Sequence, residues 1–171
     1  MKTVLPAAAT AAALLGAPAF AADLTVEIEV PRLQSAEYHA PYVAIWIEKP
    51  DQTAVATLSV WYDVKLRNNE GLNWLHEMRT WWRKTGRTLT LPADGVSGAT
   101  RAPGRHSVTF AANNPLLRDL PAGQYTLAVE AARELGGREV VRVPFNWNGQ
   151  AASTSGQGTS ELGAITVAVT R

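Results

Sequence analysis

The sequence predicts a mainly β protein, an antiparallel β-sandwich with one short helix. Three observations carry this. Short apolar or alternating runs recur at regular spacing along the chain, turn signals rich in Gly, Pro, Asn and Asp separate them, and one segment alone shifts to helical periodicity. An immunoglobulin-like topology is compatible with that pattern, and strand order is left open by it.

The elements follow in chain order. Residues 24–30 alternate apolar and polar, which places Leu24, Val26, Ile28 and Val30 on one face of a strand that Pro31 ends. Residues 42–48 and 53–62 are rich in β-branched and aromatic side chains. Lys49, Pro50, Asp51 and Gln52 part them, so they read as an antiparallel hairpin. From Leu72 to Lys84 the spacing becomes helical, with Trp74, Leu75, Met78, Trp81 and Trp82 apolar, Glu77, Arg79, Arg83 and Lys84 between them, and Gly86 as a stop.

Residues 91–104 hold three glycines and two prolines without periodicity and read as a loop. Strands are expected at 105–110, 123–132, 138–144 and 162–170, with Gly136 and Gly137 turning a hairpin between the second and third. Residues 150–160 are Ser, Thr, Gly and Gln almost throughout and read as a mobile surface loop without chemistry.

The first 21 residues read as a cleavable signal peptide: Lys2 near the start, an alanine-rich apolar run, then Ala19, Phe20 and Ala21 before a cleavage point at Ala22. Pro6, Gly16 and Pro18 interrupt the run, which favours export with cleavage over a permanent anchor. The expected mature chain is one β-sandwich domain, 22–171, in the periplasm and without stable membrane insertion. Removing Lys2 takes the formal charge from +1 to about zero, so no global field recruits nucleic acid. Cysteine is absent, which excludes disulfides, thiolate metal sites and covalent c-type haem.

Chemistry concentrates in the loop. Asp94, Gly95, Val96, Ser97, Gly98, Ala99 and Thr100 resemble the pattern Asp-x-x-(Ser/Thr)-Gly-Ala-(Ser/Thr) recognised by bacterial FAD:protein FMN transferases. That resemblance implies FMN attached covalently to the Thr100 hydroxyl through a phosphoester, with AMP released from FAD by the separate, magnesium-assisted transferase. The residue types suit such a role. Gly95 and Gly98 remove Cβ obstruction where the loop must enter another enzyme, and neither histidine nor lysine stands close in sequence to activate the threonine itself. Asp94 is expected to orient the loop, and Arg101 offers a planar donor fork to the attached phosphate.

Residues 41–48, Trp81 to Arg83, the 94–104 loop and 125–134 together look like the periplasmic domain-of-unknown-function 2271 family. The resemblance implies electron carriage between a PepSY-type membrane reductase and an extracytosolic acceptor. The competing reading is a non-catalytic β-sandwich binding module for a metal complex, a sugar or a protein, in which the loop is only a turn.

The remaining polar residues carry less. Of the six tryptophans, Trp81 and Trp82 are the nearest in sequence to the loop, but neighbours on a helix point about 100° apart, so at least one belongs to the core. His39, His76 and His106 show no metal-ligand spacing. Arg79, Arg83, Lys84 and Arg87 form a basic stretch that could draw the FMN phosphate or an acidic partner, or simply face solvent. Glu130, Arg133, Glu134, Arg138 and Glu139 read as cross-strand pairs on a solvent face, of small energetic consequence. No catalytic residues of a self-contained enzyme stand out: there is no nucleophile elbow and no zinc-protease helix.

Overall fold

Alternation and turn chemistry build strands where the spacing predicts them, and two sheets result. The computed structural model describes residues 21–34 and 37–171, so the expected signal peptide lies outside the described residues except for Ala21. One sheet has the order β5-β1-β9-β8, formed by β1 (Asp23–Val30), β5 (Gly104–Phe110), β8 (Ala152–Gln157) and β9 (Ala164–Thr170), antiparallel throughout. The other has the order β4-β3-β2-β6-β7, formed by β2 (Tyr42–Glu48), β3 (Ala54–Tyr62), β4 (Ser97–Ala99), β6 (Gly123–Ala132) and β7 (Arg138–Trp147). Its pairs are antiparallel except β3 with β4, which run parallel.

The sandwich core lies between the sheets. Leu24, Val26 and Ile28 of β1 and Ile165, Val167 and Val169 of β9 face Val43, Ile45, Ile47, Leu127 and Val129 of the second sheet. The outer face of that sheet is apolar as well: Ala44, Trp46, Val60, Tyr62 and Ala128 pack under Leu75, Met78 and Trp81. A strand covered on both faces loses its alternation, which is why β2 reads as a continuous apolar run.

The cover is not the single helix expected from 72 to 84. It is a run of 3₁₀ turns (Arg67–Glu77) followed by α1 (Arg79–Lys84), broken at Met78. Asn68 and Asn69 interrupt the 3₁₀ run with φ of 55° and 56°, a left-handed conformation that asparagine tolerates better than most residues. The break is stabilised from a distance. The Glu130 carboxylate on β6, fully buried, accepts the backbone N–H of Thr80 at 3.1 Å and of Trp81 at 2.7 Å, satisfying donors that a local cap would otherwise serve. Gly86 follows the helix as expected, and its lack of Cβ has a steric cause: a Cβ there would stand 2.6 Å from the Trp81 ring. A second helix, α2 (Pro115–Arg118), begins at Asn114, whose side chain accepts the Leu116 N–H at 2.9 Å, so the fold holds more than one short helix.

Two further expectations need correction. The 150–160 segment is not a loop throughout, because β8 pairs with β9 over six residues, and Thr154 Oγ1 donates to the Pro144 carbonyl at 2.8 Å, closing the sandwich beside β7. Its polar composition suits an edge strand whose ladder, rather than apolar burial, holds it. Nor are the β6 and β7 charges merely solvent-face pairs. Glu130 is buried and pairs with Arg138 at 2.8 Å, and Arg133 bonds Glu161 at 2.8 Å. Glu139 receives four hydrogen bonds from the turn before β9: Thr159 N–H (2.6 Å) and hydroxyl (3.0 Å), Ser160 N–H (3.0 Å) and Leu162 N–H (2.9 Å).

Candidate functional site

The 94–100 motif folds as a turn that runs straight into a short edge strand. Ala93 O accepts both Val96 N–H (3.2 Å) and Ser97 N–H (2.9 Å), and the turn passes through Gly95 at φ +73°, a conformation in which a side chain is strained. A Cβ on Gly95 would meet nothing within 4 Å, so glycine is needed there for its backbone freedom and not for space. Ser97 Oγ then accepts the Ala93 N–H at 3.0 Å and the Tyr62 hydroxyl at 3.3 Å, locking the turn to β3.

The strand β4 carries the motif along the end of β3. Val96 O accepts Val60 N–H at 2.8 Å and the Ser59 hydroxyl at 3.2 Å, while Thr100 N–H donates to Tyr62 O at 3.2 Å. Gly98 lies opposite Trp61, and a Cβ added to it would approach Trp61 Cδ1 at 3.3 Å, so the glycine lets the loop lie directly on the buried indole. Ala99 is exposed and Thr100 half-buried at the end of this track, with Asp94 and Gly95 exposed at its start.

The motif is thus a continuous, anchored segment. Arg101, next in sequence to Thr100, is exposed and its guanidinium lies 5.3 Å from the Trp61 ring centroid, a cation–π arrangement. The ring of His106 meets the other side of the cluster, 6.0 Å from Trp61 at 78°, and its Nε2 lies 2.7 Å from Ala102 O. Because a carbonyl only accepts, Nε2 carries the proton there. Trp61, Tyr62 and His106 escape sequence reasoning because they come from β3 and β5, and no local pattern announces a parallel pairing across more than 30 residues.

The tryptophans nearest in sequence stand elsewhere. Trp81 is fully buried with its indole N–H on Thr57 Oγ1 at 3.1 Å, and Trp82 is half-buried against the outer cluster. From the basic stretch, Lys84 turns to the buried Glu48, with 3.3 Å between the charges, and its ammonium also bonds Gln52 O. Burial alone would raise the Glu48 carboxyl, but hydrogen bonds from Arg142 (2.9 Å) and the Trp46 indole (2.9 Å) outweigh it and hold the group below its ordinary value. Glu48, Glu130 and Glu161 are all occupied by such partners, so their carboxylates serve the fold.

Beside the motif lies a groove of about 420 Å³. It exists because β4 pairs only with residues 60–62, leaving the first half of β3 without a strand on that side. The segment leading into the motif and the start of α2 form its other walls.

The model of a family described as "Predicted periplasmic protein (DUF2271)" matches residues 23–164 of this chain. No curated protein and no solved structure matches it.

Proposed function

The chain belongs to the DUF2271 family of predicted periplasmic proteins, and on that premise we propose that it is a periplasmic flavoprotein bearing FMN covalently on Thr100. The observation that carries the reading is the motif's presentation: a threonine at the half-buried end of an anchored edge strand, preceded by Gly95 at a positive φ and Gly98 lying against Trp61.

The attachment balances as a phosphoryl transfer. Thr100 Oγ bonds to the FMN phosphorus of FAD, the bond from that phosphorus to the AMP oxygen breaks, AMP leaves, and the hydroxyl proton passes to a base of the transferase. The activating base is proposed to come from the second enzyme, since neither histidine nor lysine lies within a few residues of Thr100 in sequence. Arg101, an exposed residue whose guanidinium stands over Trp61, is proposed to pair with the resulting phosphodiester anion. Ser97 shapes the turn that presents the hydroxyl, through its bonds to Ala93 and Tyr62, while Asp94 stands exposed at its start.

Bound FMN would supply one- or two-electron transfer, and the protein's part is to hold and orient it. The electrons are proposed to come from a PepSY-type membrane reductase and to pass to an extracytosolic acceptor. A covalent tether retains the cofactor through repeated cycles in a compartment where a released flavin diffuses away.

The test is intact mass of the exported protein coexpressed with an FAD:protein FMN transferase. The expected result is the mass of FMN less one water, mapped to Thr100 and absent from Thr100→Ala. An unmodified wild-type chain, with the transferase active on another target, overturns the proposal and leaves a colourless β-sandwich binding module.

A further inference from the structure

We propose that the groove beside the open half of β3 is the resting site of the isoalloxazine ring of the FMN tethered at Thr100. The inference depends on the flavoprotein reading and adds where the ring lies. A ring system left in water exposes a large apolar face, and burying such a face is favoured at about 25 cal/mol per Å². Trp61, the aromatic nearest the motif, is already covered by Gly98, Arg101 and His106 and is 1% exposed, so it offers the ring no free face.

The groove does offer one. The groove follows the strand edge: Ala54 lines it from the outer face of the sheet and Ala56 from the inner one, and Leu89, Leu91, Val96 and Leu116 supply the rest of its apolar lining. The volume of about 420 Å³ falls within the range of about 300–1,000 Å³ typical of small-molecule sites. The wall is an unpaired sheet edge, so backbone amides stand where the flavin's pyrimidine end presents two carbonyls and an N–H.

Reach is the second argument. Ala93 and Val96 belong both to the groove and to the turn that leads into the acceptor strand. Val96 is four residues before Thr100, about 13 Å along an extended chain at about 3.3 Å per residue. A phosphoribityl arm running back along β4 brings the ring to the near end of the groove.

The experiment uses the flavinylated full protein, with intact mass confirming FMN on every sample, and reads flavin fluorescence anisotropy and iodide quenching against a flavinylated peptide spanning residues 91–104. Wild-type protein is expected to show higher anisotropy and severalfold weaker quenching than the peptide. Ala54→Phe, which adds bulk at a lining residue outside the sandwich core, and Leu89→Glu, which makes the lining polar at a position already 38% exposed, are each expected to move both signals toward the peptide. A wild-type flavin as freely quenched as the peptide's, or signals unchanged in folded Leu89→Glu, overturns the ring site while leaving the covalent flavin in place. A mass without FMN overturns both.

Discussion

Replacing Glu139 with glutamine tests whether a single carboxylate holds the turn that feeds β9 into the core. One carboxylate oxygen accepts Thr159 N–H and its hydroxyl, and the other accepts Ser160 and Leu162 N–H. In Glu139→Gln the amide NH₂ replaces one of these oxygens and faces donors, so N–H groups on that side lose their charged acceptor. Burial alone would raise the Glu139 carboxyl, yet the three backbone N–H groups and the Thr159 hydroxyl hold it at about 2 against an ordinary 4.5. At about 1.4 kcal/mol per unit that difference sets a ceiling near 3.4 kcal/mol, and partial solvent exposure brings it to about 2–3 kcal/mol. The folded-state value is the depressed one, so this stability is complete above about pH 4.5 and disappears as the pH falls through about 2. Urea titrations of both proteins should therefore differ by about 2–3 kcal/mol at pH 7 and by about 1 kcal/mol at pH 3. A gap below about 0.5 kcal/mol at pH 7, or one that does not narrow with acid, refutes the reasoning.

The remaining predictions concern the cover and the motif. Gly86→Ala places a Cβ 2.6 Å from the Trp81 ring, an overpacking expected to cost about 1–3 kcal/mol and to shift Trp fluorescence in a denaturant melt. Glu130→Ala strands the Thr80 and Trp81 N–H groups and Arg138 and is expected to cost about 3–5 kcal/mol, read as a lowered Tm. Gly98→Val pushes against Trp61, where Cβ alone already stands at 3.3 Å, and is expected to slow flavin attachment in a mass time course more than Gly98→Ala does. Equal rates for the two variants would show that the contact with Trp61 does not govern presentation of Thr100.

Much of the frame is legible along the chain because its causes are local. The alternation of β1, the hairpin of β2 and β3, and the Gly136 and Gly137 turn between β6 and β7 follow from side-chain period and turn chemistry within a few residues. The same holds for the flavin motif, whose turn at Gly95 and close approach at Gly98 are demands that glycine meets visibly. The start of α2 at Asn114 and Pro115 was readable too, as a cap followed by a first-turn proline, but four residues show no periodicity to attract notice.

By itself, then, the sequence determined the β class and most strand positions. Tertiary structure alone decided the rest. β8 is a strand because β9 lies beside it, since its own Ser, Thr and Gly residues favour no ladder. α1 starts where it does because Glu130, about 50 positions away, receives its first N–H groups. Thr100 follows directly on an anchored strand because β3 pairs with β4 in parallel, placing Trp61 under Gly98 and Tyr62 against Ser97. The physical reason is common to all three: a hydrogen bond or packed face between distant segments changes the stability of a local conformation by more than local propensity does, and no pattern within either segment records its partner.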